Sequence, residues 1–69
     1  MEIGKKIREE RKKRNLQQQE LAKMADISNT YLSDIEVGRT TPSIKTLMKI
    51  SKALGVDCSI FLDEDKEKG

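Results

Sequence analysis

The chain has no histidine and one cysteine, Cys58. An internal disulfide is therefore excluded, as is an ordinary zinc site, which draws on several cysteines and histidines. A lone cysteine suits a reducing cytosol, and it reads as a small buried apolar residue before it reads as a reactive thiol. Tyr31 and Phe61 are the only aromatic residues, which argues against gripping single strands by base stacking. No run approaches the ~18 apolar residues of a membrane helix. The opening MEIGKKIREE turns polar at once, without an apolar signal core. These shortages imply a cytoplasmic protein with no membrane contact. Enzyme chemistry also lacks its parts: there is no Gly-rich phosphate loop and no Ser or Cys with a base at motif spacing. Glu9-Glu10 and Asp63-Glu64-Asp65 are adjacent charges, not a facing pair in a cleft. No metal, cofactor or small-molecule ligand is implied.

What the chain does have is charge and helical periodicity. Sixty-nine residues make one domain with a modest core, so a partner subunit is a plausible source of further stability. Residues 1–52 hold 12 Lys and Arg against 7 Asp and Glu, whereas residues 53–69 hold 2 against 5. A basic body with an acidic tail permits nucleic-acid binding without proving it.

Five helical segments can be read. The first spans about Glu2 to Arg14, with Ile3, Ile7 and the stem of Arg11 on one face and Gly4 as a weakness. Asn15 is a left-handed stop after a basic last turn. The second spans about Gln18 to Ala25, with Leu21, Ala22 and Ala25 inward and Gln17 as a poor N-cap. The third begins after the good cap Ser28 and spans Asn29 to Glu36, with Leu32 and Ile35 inward; Gly38 ends it. The fourth, capped by Ser43, spans about Ile44 to Leu54. Its stripe is Ile44, Leu47, Ile50 and Leu54, widened by Met48 and Ala53, and Gly55 closes it. A short fifth helix covers about Ser59 to Leu62, and 63–69 is a charged tail that frays. With no alternating run, the expectation is an all-α orthogonal bundle, one domain over 1–62.

Two short helices joined by a tight turn, the second well capped and polar outside, form a helix-turn-helix unit. Such a helix fits the B-DNA major groove, where its N-terminal side chains reach base edges. The outward residues of the third helix are Asn29, Thr30, Ser33, Asp34 and Val37, short and mostly polar. A merely solvated face carries Lys and Glu more often. The free N–H groups opening the second and third helices suit phosphates.

Gln18 followed by Leu21-Ala22, Ser28 by Tyr31-Leu32, Ile35-Glu36 by Gly38, then Pro42-Ser43 and Ala53-Leu54-Gly55-Val56, resemble in combination the phage repressor/Cro-like helix-turn-helix family. The resemblance covers about residues 2–62. The chain is also similar to the DNA-binding half of SinR-type regulators, whose full-length forms continue into an oligomerisation segment. The resemblance implies a five-helix, lambda-repressor-like bundle that binds double-stranded DNA, as a homodimer on a pseudo-palindromic operator. It implies groove-facing roles for Ser28, Asn29, Thr30 and Ser33, with Asn29 and Ser33 foremost for base contact. It implies phosphate contacts from Gln18 and from Arg39, Thr40 and Thr41, and a partly buried ion pair between Arg11 and Glu36.

Several positions stay open on the residues alone. Gln17, beside Gln18 at the phosphate-facing helix start, replaces the usual Thr or Ser cap. Asp34 either accepts from cytosine N4 or turns to solvent or a nearby cation. Tyr31 either donates to a phosphate or packs on the rim. Arg11-Lys12-Lys13-Arg14 reads as the solvated end of a helix rather than a targeting signal. In Ile60-Phe61-Leu62 a helix cannot bury all three. Family resemblance turns Cys58, Phe61 and Leu62 inward and leaves Ile60 at a dimer edge; the alternative is a stray surface isoleucine. The rival reading of the whole is a protein-interaction module such as an antitoxin-like domain.

Overall fold

The structure is a computed structural model that describes residues 3–62. The expected helix start at Glu2 and the frayed tail 63–69 lie outside the described residues. Five helices follow one another: α1 Ile3–Lys13, α2 Gln18–Met24, α3 Asn29–Glu36, α4 Ile44–Leu54 and α5 Ser59–Leu62. The first two end one residue earlier than the spacing predicts, because Arg14 and Ala25 already belong to the stops.

Those stops share one design. Asn15, Asp26, Gly38 and Gly55 all have positive φ, and each is the left-handed residue that ends α1 to α4 in turn. The next N–H then reaches back to a carbonyl five residues earlier: Leu16 to Arg11, Ile27 to Ala22, Arg39 to Asp34 and Val56 to Ser51. This is the Schellman closure, which satisfies carbonyls the helix leaves orphaned. At the other ends, Ser28 Oγ accepts from the Tyr31 N–H at 3.0 Å and Ser43 Oγ from the Thr46 N–H at 3.1 Å. The start of α2 is firmer than glutamine at the cap suggests. The Glu20 carboxylate accepts from the Gln17 N–H at 2.7 Å, the half of a capping box that the third helical residue supplies.

Ile7, Leu21, Ala22, Ala25, Leu32, Ile35, Leu47, Ile50, Leu54 and Phe61 form one buried core. α1 packs on α3 and α5, and α2 packs on α3 and α4. Two expectations about apolar residues are corrected. Ile44 and Met48 are 60 % and 57 % exposed, because the core face of α4 is centred on Leu47 and Leu54 and takes in Ser51 instead. The buried Ser51 hydroxyl is satisfied by donating to the Leu47 carbonyl at 2.8 Å. At the C-terminal end Phe61 takes the inward direction, as expected, but Leu62 is 42 % exposed while Ile60 is half-buried against the core. Consecutive helical residues diverge by about 100°; the body covers the Ile60 flank of α5 and leaves the Leu62 flank open.

No described helix is long and apolar enough to cross a membrane. Near the end of α1, Glu10 is buried and hydrogen-bonds Arg14 at 2.8 Å and Lys13 at 3.3 Å. The Arg14 bond, with Lys13 behind it and against the opposing effect of burial, holds the Glu10 carboxyl below its ordinary range.

Candidate nucleic-acid interface

α2, the turn at Asp26 and α3 place two helix N-termini, Gln18 and Asn29, on one unit. The buried side of α3 is Leu32, Ile35 and Glu36, so the helix presents Asn29, Thr30, Ser33, Asp34 and Val37 on its other side. Asn29, Thr30 and Val37 are exposed; Ser33 and Asp34 are half-buried. Ser28 is exposed too; its oxygen accepts one bond as the cap, which leaves its O–H proton free to donate and one lone pair free to accept. Tyr31 is half-buried and packs against the core.

The last turn of α3 is where the helix is fixed. Arg11 Nε donates to Glu36 Oε2 at 2.8 Å and Arg11 Nη2 to Glu36 Oε1 at 2.9 Å, a bidentate fork. The remaining Arg11 Nη1 donates to the Leu16 carbonyl at 2.9 Å, tying the loop after α1 to the same guanidinium. Gln18 Nε2 adds a 3.2 Å bond to Glu36 Oε1. A single carboxylate thus joins α1, α2 and α3. With Arg11 and Glu36 side chains 11 % and 3 % exposed, the pair is shielded from solvent.

Sequence reasoning missed two parts of this arrangement. It did not foresee that Gln18 would touch Glu36, because nothing in the spacing links positions 18 residues apart. It also read Gly4 as a mere weakness. A Cβ at Gly4 would overlap the Ile35 carbonyl oxygen and lie 2.9 Å and 3.0 Å from Ile35 C and Glu36 Cα. Gly4 is what lets α1 lie directly on the end of α3. The available signal was the glycine itself, since a glycine within a helical pattern often has a packing reason.

Beyond Gly38 the chain turns back. Arg39, Thr40 and Thr41 are exposed, and Pro42 is buried. Arg39 Nη1 lies 3.7 Å from Asp34 Oδ1. Asp34 thus has a cation beside it in the chain without DNA. Gln17 is exposed and Gln18 half-buried at the start of α2.

A helix-turn-helix family profile matches residues 7–61. The chain belongs to the repressor/Cro-like helix-turn-helix family. Its family relatives include the immunity repressor protein of Bacillus phage phi105, 42% identical over 65 residues that cover 94% of this chain and 45% of the relative. Among solved members of the family, the DNA-binding domain of the P22 c2 repressor superposes with a TM-score of 0.88 at 35% identity, covering 94% of this chain and 86% of that one. SinR in complex with DNA superposes with a TM-score of 0.84 at 40% identity, covering 88% and 98%. The chain spans about half the length of curated family relatives such as the phi105 repressor.

Proposed function

We propose that this chain is a sequence-specific double-stranded DNA-binding transcriptional regulator, most simply a repressor, that places α3 in the major groove. The observation that carries the reading is α3 itself: an outward face of short polar side chains on a helix fixed at its last turn by the Arg11–Glu36 fork. A reading helix needs both, since side chains find base edges only when the helix that bears them is held. Asn29 and Ser33 contact bases, flanked by Ser28 and Thr30. Gln17, Gln18, Tyr31, Arg39, Thr40 and Thr41 face phosphates. The binding domain is 1–62, followed by the charged tail 63–69. Repression comes from occupying promoter DNA in the cytoplasm, with no catalysis. The relatives named above, a phage immunity repressor and a regulator bound to DNA, support this reading.

The protein acts as a homodimer, with Ile60 and its exposed neighbour Leu62 at the contact. Selection of bound duplexes from a random pool tests these statements together. Two inverted half-sites should be enriched, with centres one helical turn (about 34 Å) apart. Asn29→Ala should lose about 1–3 kcal/mol of discrimination at one position of each half-site, and Leu62→Glu, at the exposed flank of the contact, should leave only half-site occupancy. A pool that enriches nothing, in a chain whose binding is indifferent to salt, points instead to a protein-interaction module.

A further inference from the structure

α1, α2, α3 and α4 all end in the same closure, but α3 departs from the others in one respect. In the other three, the residue after the left-handed position is apolar, and Leu16, Ile27 and Val56 each pack against the core. After α3 the equivalent residue is Arg39, which is exposed. The closure brings that residue back over the one five positions earlier, here Asp34, through an Arg39 N–H to Asp34 carbonyl bond of 2.8 Å. In a Schellman closure these two side chains normally make an apolar contact. Here the contact is an ion pair, with Arg39 75 % and Asp34 36 % exposed. The backbone sets the two charges side by side, on the outward face that carries Asn29 and Ser33.

We propose that Asp34 is a specificity-determining residue that works through Arg39: it occupies the guanidinium in the free protein and so withholds one phosphate contact from DNA at large. The inference rests on the DNA-binding reading above. An exposed pair is worth little, so a phosphate can displace the carboxylate. Displacement leaves Asp34 unpartnered next to DNA unless a base edge offers it an N–H, such as the cytosine amino group. On an arbitrary sequence no such donor is in place, and Arg39 divides its time between carboxylate and phosphate. The pair thus lowers nonspecific binding more than specific binding.

The test is the salt dependence of binding to a duplex of random sequence, for wild type, Asp34→Asn, Arg39→Ala and the double variant. Both positions are exposed or half-exposed, and circular dichroism checks that each variant folds. Asp34→Asn should bind nonspecific duplex roughly two- to five-fold more tightly, the range of an exposed pair. Its log–log salt slope should steepen by a measurable part of the ~0.9 that one wholly new phosphate contact would add, because Arg39 already spends part of its time on phosphate. In the Arg39→Ala background, Asp34→Asn should add a distinctly smaller gain in affinity, that of relieved phosphate repulsion alone, and no new phosphate contact. An equal gain in that background would mean that any lost negative charge has the same effect, and it would overturn the role of Arg39. An unchanged slope for Asp34→Asn would overturn the proposal while leaving DNA binding intact. Absence of salt-dependent duplex binding by the wild type would overturn both readings.

Discussion

Arg11→Ala lowers the free energy of unfolding by about 3–5 kcal/mol. That is a large share of what a core of this size supplies. The effect does not measure the strength of an ion pair. It arises because Glu36, with its side chain 3 % exposed, loses both bonds of the fork and retains only the 3.2 Å bond from Gln18. The Leu16 carbonyl loses its donor as well. A double replacement, Arg11→Met with Glu36→Leu, strands no charge and should destabilise less than Arg11→Ala alone. Urea denaturation of the three proteins measures both effects. A loss below about 1 kcal/mol for Arg11→Ala, the range of an exposed pair, would show that water reaches the carboxylate and that the fork does not hold α3.

Gly4→Ala should also destabilise, against the usual trend. Alanine ordinarily gains about 1 kcal/mol over glycine in a helix interior, and less in a first turn, where Gly4 stands. Here the added methyl meets backbone rather than a flexible side-chain end, namely the Ile35 carbonyl and the Glu36 Cα. Backbone cannot rotate away, so α1 and α3 must separate. Overpacking of this kind costs about 1–3 kcal/mol, occasionally more. The upper part of that range applies, and it outweighs the propensity gain. Each net 1 kcal/mol lowers the melting midpoint of so small a domain by about 4–8 °C. A midpoint at or above that of the wild type would show that the contact between α1 and α3 has slack. Separation at Gly4 also moves the end of α3 that bears Glu36, so Gly4→Ala should lose sequence discrimination even at temperatures where it is fully folded.

The limits of the helices were legible because they are set locally. Ser28 and Ser43 cap as their types predict, and Asn15, Gly38 and Gly55 stop as theirs do. The spans of α3, α4 and α5 therefore agree with the spacing of the residues. Less was legible where an outcome depends on the reach of another helix. Periodicity shows which residues of α4 share a face, but not that the body stops short of Ile44 and Met48. One turn of α5 leaves Ile60 and Leu62 as near equals, and only tertiary packing decides that Leu62 stays exposed. The Arg11–Glu36 pair was accessible only through family resemblance, since no local rule joins residues 25 positions apart. The ion pair between Asp34 and Arg39 lay within reach of local rules. A left-handed Gly38 implies the closure, and the closure implies which two side chains meet.

A reading helix held from behind requires that α3 enter the groove while α1 stays away from the DNA. Backbone amide shifts of the labelled chain, followed by NMR as a selected duplex is added, test it most directly. The largest changes are expected at Gln18, at Asn29 to Asp34 and at Arg39 to Thr41, with Lys5, Arg8 and Lys12 on the exposed side of α1 nearly unmoved. Changes centred on the exposed face of α4, at Ile44, Met48 and Lys49, with α3 silent, would contradict it.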